Sequence, residues 1–131
     1  MRNKELLDYY LHTSKDDRRV CLKLLDDNEY LPSLFYAHLS IEKLLKGLIL
    51  KSTRQLPPFI HQLDILLKKS GHKGIVIEYL PFLKELNDYH VLGRYPDLKS
   101  NTKRGLRGRV VYDKINTYLD LYKILWRELK H

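Results

Sequence analysis

Apolar residues recur every three to four positions along almost the whole chain, and alternating strand-like patterns are nearly absent. This spacing gives each helix one apolar face that must be buried against a neighbour. We therefore expect an all-α fold, an antiparallel up-and-down bundle of about five helices that forms a single domain over residues 1–131. The periodicity places these helices at about 5–27, 33–51, 59–70, 75–90 and 110–129.

The predicted helices differ in how much of their surface is apolar. Apolar residues wrap most of the helix at 33–51, which predicts that it is the central helix, with Ser33 as its N-cap. The first helix has a strongly polar middle at 14–19, which predicts that this part faces solvent. In the fourth helix, Pro81 allows two interpretations, a kink or the first turn of a helix that begins near Leu80.

The composition is that of an ordinary globular protein, with 44% hydrophobic and 31% charged residues. No apolar run approaches the roughly 20 residues of a membrane span, and the N-terminus has no signal-peptide pattern. The single cysteine, Cys21, excludes an internal disulfide and a cysteine-built zinc site. These features predict a cytoplasmic protein without a membrane association or a cofactor.

Positive charge is concentrated in one connection, residues 93–109, which we call the basic segment. It carries six basic residues against the single acid Asp97, so it holds +5 of the formal net charge of +8. The basic residues are Arg94, Lys99, Lys103, Arg104, Arg107 and Arg109. Charge gathered in one glycine-containing connection indicates an anionic partner, which the sequence leaves open as RNA, a nucleotide or an acidic protein.

The basic segment opens with Arg94-Tyr95-Pro96-Asp97. Pro96 restricts the backbone on both sides of its peptide bond, so the guanidinium of Arg94 would sit on a stiff turn suited to bidentate phosphate binding. Tyr95 could stack on a base, and Asp97 could cap the next turn or pair with Arg94. We predict a ligand-binding role for Arg94, Tyr95 and Asp97, together with Lys103, Arg104 and Arg107; the alternative is a purely structural corner.

A polar stripe interrupts the central helix, because His38, Glu42 and Lys46 repeat every four residues. One interpretation is a structural ion pair between Glu42 and Lys46; the other is a cleft in which Glu42 positions a basic residue such as Arg94. His61 is either a satisfied structural histidine or a binding residue. The remaining histidines show no metal-ligand spacing, so we expect no metal site.

Three separated motifs occur in a familiar order on this five-helix pattern. They are Ile41-Glu42-Lys43 with the later Lys46, then His61-Gln62-Leu63 after a double proline, and Arg94-Tyr95-Pro96-Asp97. In order and approximate spacing, across essentially the whole chain, this resembles the HEPN domain (higher eukaryotes and prokaryotes nucleotide-binding). The resemblance implies a helical homodimer that binds RNA or a nucleotide and is paired with a nucleotidyltransferase partner, as in toxin–antitoxin systems.

Two departures from the family pattern bear on activity. Gln62 replaces the usual Asp after the histidine, which predicts a weaker cap at the start of the third helix. Ribonuclease members of the family carry an Arg followed, after four to six residues, by a His near the start of the last helix, and this pair is absent from that place. The resemblance therefore implies a non-catalytic binding protein; the alternative is a toxin-like ribonuclease that uses Arg94 with His61 or His90.

Overall fold

The computed structural model describes residues 3–94 and 106–130, without the side chains of Lys73, Ile75 and Val76. Within these residues the protein forms five α-helices and no β-strand. They are α1 (Asn3–Asp26), α2 (Tyr30–Thr53), α3 (Leu63–Ser70), α4 (Lys73–Arg94) and α5 (Gly108–Lys130). The prediction of an all-α helical bundle is confirmed.

Helix α2 is the centre of the bundle, as its apolar circumference predicted. It contacts α1, α3, α4 and α5, so its side chains are enclosed on several sides. Ala37, Ile41, Leu44 and Leu45 are fully buried. Because α2 has neighbours around most of its surface, any polar side chain on it must find a partner within the bundle or line a cleft.

The predicted N-cap of α2 is wrong. The helix begins at Tyr30, one turn earlier than Ser33, and Pro32 falls within its first turn. Proline is tolerated there because the first N–H groups of a helix have no intrahelical acceptor. Ser33 is instead buried, and its hydroxyl donates a hydrogen bond to the carbonyl oxygen of Cys21 at 2.9 Å.

The polar middle of α1 does not face solvent throughout, contrary to the prediction. Ser14 and Asp17 are buried against α2. The Ser40 hydroxyl donates to the carbonyl oxygen of Ser14 at 3.1 Å, and the Lys43 ammonium lies 2.7 Å from a carboxylate oxygen of Asp17. The Ser14 hydroxyl itself donates to the carbonyl oxygen of Leu11 at 2.9 Å. Both buried polar side chains of α1 therefore have a partner, one within α1 and one on α2.

Helix α4 runs from Lys73 to Arg94 as one helix with Pro81 inside it. Gly71, with φ of 80°, ends α3 in the left-handed conformation that glycine adopts readily. Because proline has no backbone N–H, the carbonyl of Ile77, four residues earlier, accepts no helical hydrogen bond from position 81. Ile77 is 75% exposed, so the freed carbonyl lies on the solvent side of the helix.

The helix predicted at 110–129 is α5, and its apolar stripe packs onto α2. Val111, Ile115, Tyr118 and Leu125 are buried, and the Tyr118 hydroxyl donates to the Ser40 oxygen at 2.8 Å. Among the residues that the structure describes, no helix is sufficiently long and apolar to span a bilayer.

Candidate functional site: a histidine and glutamate cluster beside the basic segment

Glu42 lies at the centre of a polar cluster between α2 and the connection that leads to α3. Its carboxylate oxygens are 3.1 and 3.0 Å from Nδ1 of His61, and one of them is 3.1 Å from Nζ of Lys46. Nδ1 of His38 is 3.7 Å away on the other side. Because a carboxylate only accepts hydrogen bonds, the His61 nitrogen facing it carries a proton, which leaves Nε2 as the second functional atom of that ring.

These contacts keep Glu42 ionised although it is only 7% exposed. Burial alone would raise the pKa of Glu42. The hydrogen bond from His61 and the positive charge of Lys46 outweigh that effect, and the pKa lies below its ordinary value. The negative charge of Glu42 is therefore present at neutral pH and is stabilised by His61 and Lys46.

Three imidazole rings lie against one another at this site. The ring of His90, from α4, is 4.5 Å from the ring of His38 and 4.8 Å from that of His61, centroid to centroid. Phe35 stacks on His90 at 5.6 Å with an angle of 15° between the planes. α4 thus contributes a ring that bridges the α2 stripe and the connection before α3.

His38 is fully buried, and neither of its ring nitrogens has a hydrogen-bond partner in good geometry within the described residues. The Glu42 carboxylate, and after it the Asn87 side chain and the His61 backbone, oppose the effect of burial on the pKa of His38 without overcoming it. Burial, helped by the neighbouring His90, lowers the pKa of His38 to about 4. His38 is therefore neutral near pH 7.

A cavity of about 500 Å³ opens onto this cluster. His38, His61 and His90 line it, together with Asn87 and the fully exposed Phe59. The lining offers aromatic ring faces and a few hydrogen-bonding groups, which is the usual character of a small-molecule or base-binding site.

Asn87 connects the cavity to the start of α3. The backbone N–H of Leu63 donates to its Oδ1 at 2.9 Å, and its Nδ2 donates to a carboxylate oxygen of Asp64 at 2.9 Å. The helix begins at Leu63, not at 59 as predicted, and Gln62 makes no side-chain cap, as its departure from the family pattern led us to expect. Asn87 supplies the missing cap from α4 and thereby holds the connection that carries His61.

The structure describes two parts of the basic segment, residues 93–94 and 106–109, and both parts border one cavity. Gly93 and Leu106 both line a cavity of about 310 Å³, and the residues that follow them, Arg94 and Arg107, are both exposed. Gly93 permits α4 to pack closely on α2, because an added Cβ would lie 2.4 Å from Cδ1 of Phe35. Arg94 is also one helical turn beyond His90, and its charge helps to lower the pKa of that imidazole, which burial already depresses.

A family model described as HEPN domain matches residues 7–110, well over half of the chain. The chain belongs to the HEPN domain family. No curated protein and no solved structure matches it. Membership supports a function related to nucleotides or RNA in general, and the matched range contains both the histidine cluster and the basic segment.

The fold of this HEPN domain brings together Glu42, Lys46 and His61, which were predicted as site residues. Arg94 and Arg107 are exposed. Glu42 contacts Lys46 and the histidines, so the described contacts do not support the hypothesis that Glu42 positions Arg94. The remaining predicted residues, Tyr95, Asp97, Lys103 and Arg104, lie outside the described residues.

Asn87 was missed from the sequence, and His90 was named there only as part of the ribonuclease alternative. His90 precedes Arg94 by four positions and Asn87 precedes His90 by three, so all three share one helix face. That spacing was a usable signal. The spacing does not show which residue His90 contacts, because His38 is 52 positions away and becomes its neighbour only through the packing of α4 on α2.

His38, Glu42 and His90 could also be considered as metal ligands, because one donor atom of each lies within 4.8 Å of the others. Two imidazoles and a carboxylate are a donor set that zinc accepts. However, Lys46 and His61 already bind the carboxylate of Glu42, and the ammonium of Lys46 opposes a second cation there. That the HEPN domain holds no metal stays a prediction.

Proposed function

We propose that this HEPN protein is a non-catalytic binding protein for RNA or a nucleotide, which it holds through the basic segment and the adjoining histidine cavity. The observation that carries the proposal is the meeting of Gly93 and Leu106 at one cavity, which supports a common phosphate-binding surface for Arg94 and Arg107. Guanidinium groups bind phosphate oxygens in a bidentate manner, and such contacts are the main source of affinity for nucleic acids.

The histidine cavity complements these charges. A base that enters it would meet the imidazole faces of His61 and His90 and the amide of Asn87, while its phosphate would remain outside near Arg94. Aromatic and imidazole faces stack on bases of any sequence, so this arrangement favours binding without strict sequence readout.

Binding of a labelled single-stranded RNA should weaken steeply with salt. Each phosphate contact contributes a slope of about −0.7 in log affinity against log salt. The double variant Arg94→Gln/Arg107→Gln should therefore bind about tenfold or more weakly at low salt and show a slope reduced by about 1.4. Fluorescence anisotropy over a salt series measures both quantities.

The matched control is Arg19→Gln/Lys23→Gln, which removes two exposed positive charges from α1 on another part of the chain. It should change affinity by less than about twofold. A flat salt response of the parental protein, or an equal loss in the Arg19→Gln/Lys23→Gln variant, would contradict the proposed surface.

Two partner proposals accompany this function, a homodimer and a nucleotidyltransferase partner protein. Family membership supports both as proposals. Light scattering on the purified chain tests the first, and co-purification with the product of an adjacent reading frame tests the second.

One observation favours a second candidate function, a ribonuclease. His61 is held at Nδ1 by the ionised Glu42, and its side chain is 49% exposed in the cavity. A carboxylate that orients an imidazole in this way is the arrangement of a general base. His61 would take the proton of a ribose 2′-hydroxyl as that oxygen attacks phosphorus, and the 5′-oxygen would leave with a proton from a second donor.

The ribonuclease alternative predicts cleavage that depends on His61. If labelled RNA is cleaved, His61→Asn should reduce the rate by about 100-fold or more while leaving binding within a few-fold. His12→Asn is the control, because His12 also faces a carboxylate, Asp16, at 3.6 Å but lies outside the cavity. Intact RNA after prolonged incubation with excess parental protein would exclude this candidate and leave the binding function in place.

A further inference from the structure

A third cavity, of about 550 Å³, lies between α1 and α5 and shares no lining residue with the other two. Among the residues that the structure describes, five basic and two aromatic side chains line it, and no acidic residue does. Like charges this close together repel one another, so an anion bound among them would relieve the repulsion.

Arg18 contributes the most informative lining contact. Its guanidinium carbon lies 5.3 Å from the centre of the Tyr122 ring, in cation–π geometry. Its Nε is buried and has no hydrogen-bond partner among the described residues. A buried donor without an acceptor is costly, and an anion in the cavity would supply the acceptor.

Trp126 gives the cavity a flat aromatic wall. It stacks on Tyr122 at 5.6 Å between centroids, with an angle of 19° between the planes. Tyr122 is buried and supports the indole from one side, whereas Trp126 is only partly buried. One side of the indole is therefore fixed by packing on Tyr122, and its exposed part can receive another ring.

We propose that the cavity between α1 and α5 is a second ligand site, which takes a phosphate on its basic residues and the attached base on Trp126. The ligand class is a nucleotide, either free or as a unit of single-stranded RNA. An acidic protein segment would satisfy the charges but offers no ring for the indole, so the nucleotide fits more of the lining. The site does not depend on the function proposed for the basic segment.

Trp126 is the only tryptophan of the chain, so its fluorescence reports on this site directly. Titration with adenosine monophosphate or a short single-stranded RNA should quench the emission in a saturable manner. Inorganic phosphate should bind more weakly because it lacks a base. Quenching by the mononucleotide identifies a free nucleotide as sufficient, whereas quenching by RNA alone assigns the site to the strand.

The double variant Lys123→Gln/Arg127→Gln should weaken this binding about tenfold or more, because it removes two of the lining charges. The matched control Lys4→Gln/Lys23→Gln removes the same charge from exposed positions of α1 outside the cavity and should leave affinity unchanged. Arg94→Gln should not alter the Trp126 signal, so failure of this site and failure of the basic segment are distinguishable.

Three results would overturn the proposal. The first is the absence of saturable quenching by either ligand. The second is an equal loss of affinity in the control double variant. The third is a Trp126 emission that shifts with protein concentration in the absence of ligand, which would mean that a second copy of the chain covers the cavity.

Discussion

Acidification from pH 6.5 to pH 4 is expected to destabilise the protein by about 3 kcal/mol through His38 alone. The pKa of His38 is about 4 in the folded protein, against 6.5 ordinarily. Between these values the unfolded chain binds the proton and the folded one does not. The stability is therefore fully present above pH 6.5 and falls as the pH decreases towards 4.

His90 and Glu42 also contribute to the loss of stability on acidification. The pKa of His90 is lowered as well, chiefly by burial, and the lowered pKa of Glu42 adds a further loss below pH 4.5. Urea denaturation between pH 7 and 4 measures the combined slope. The variant His38→Leu should flatten the curve between pH 6.5 and 4.5, because leucine fills the apolar position without a titrating group.

His12→Gln serves as the control, since the side chain of His12 is 80% exposed. It should leave the pH dependence unchanged. An unaltered slope in His38→Leu would show that His38 is protonated in the folded protein and would refute its assignment as a buried neutral imidazole.

Glu42→Ala should destabilise the protein by about 3 kcal/mol or more at pH 7. The substitution leaves the ammonium of Lys46, whose side chain is only 12% exposed, without its acceptor, and it releases His61. The cost comes from the unpaired charge, so the double variant Glu42→Gln/Lys46→Met should recover most of the lost stability.

Glu85→Gln provides a matched control for this pair. Glu85 forms an ion pair with Lys114, but its side chain is 41% exposed, and its loss should cost less than about 1 kcal/mol. Thermal and urea denaturation of the four proteins give the comparison. If Glu42→Ala lowered the free energy of unfolding no more than Glu85→Gln, the contacts of Glu42 would not be a major source of stability.

The helices were predictable because each depends on a local pattern. The apolar spacing predicted a helix at 110–129, close to the observed α5, and it placed the end of α3 at residue 70, where the helix does end. The errors occurred where a distant partner overrides local preference. The Ser33 hydroxyl donates to the carbonyl of Cys21 instead of capping α2, and Ser14 is buried where the Ser40 hydroxyl donates to its backbone carbonyl.

The candidate site was predictable only in the part that lies on one element. The four-residue spacing of His38, Glu42 and Lys46 placed them on a common face of α2. Whether this face forms a structural ion pair or lines a cleft depends on which residues of the other helices and connections pack against it. The fold brings His61 to hydrogen-bonding distance of Glu42 and His90 against His38, and no spacing within either segment contains that information.

The basic cavity between α1 and α5 shows the same limit. Lys15 and Arg18 are separated from Trp126 by more than a hundred positions, and each looked like part of an ordinary polar or packing face. Only the pairing of the two helices turns them into one lining with a stacked aromatic wall.

The sequence by itself determined the helices, the central place of α2, the family and the position of the charge, since these follow from residue spacing and composition. The tertiary structure alone decided which buried polar groups meet. Contacts such as that of His90 with His38 depend on how helices pack, and packing is fixed by the whole set of side chains rather than by any local pattern.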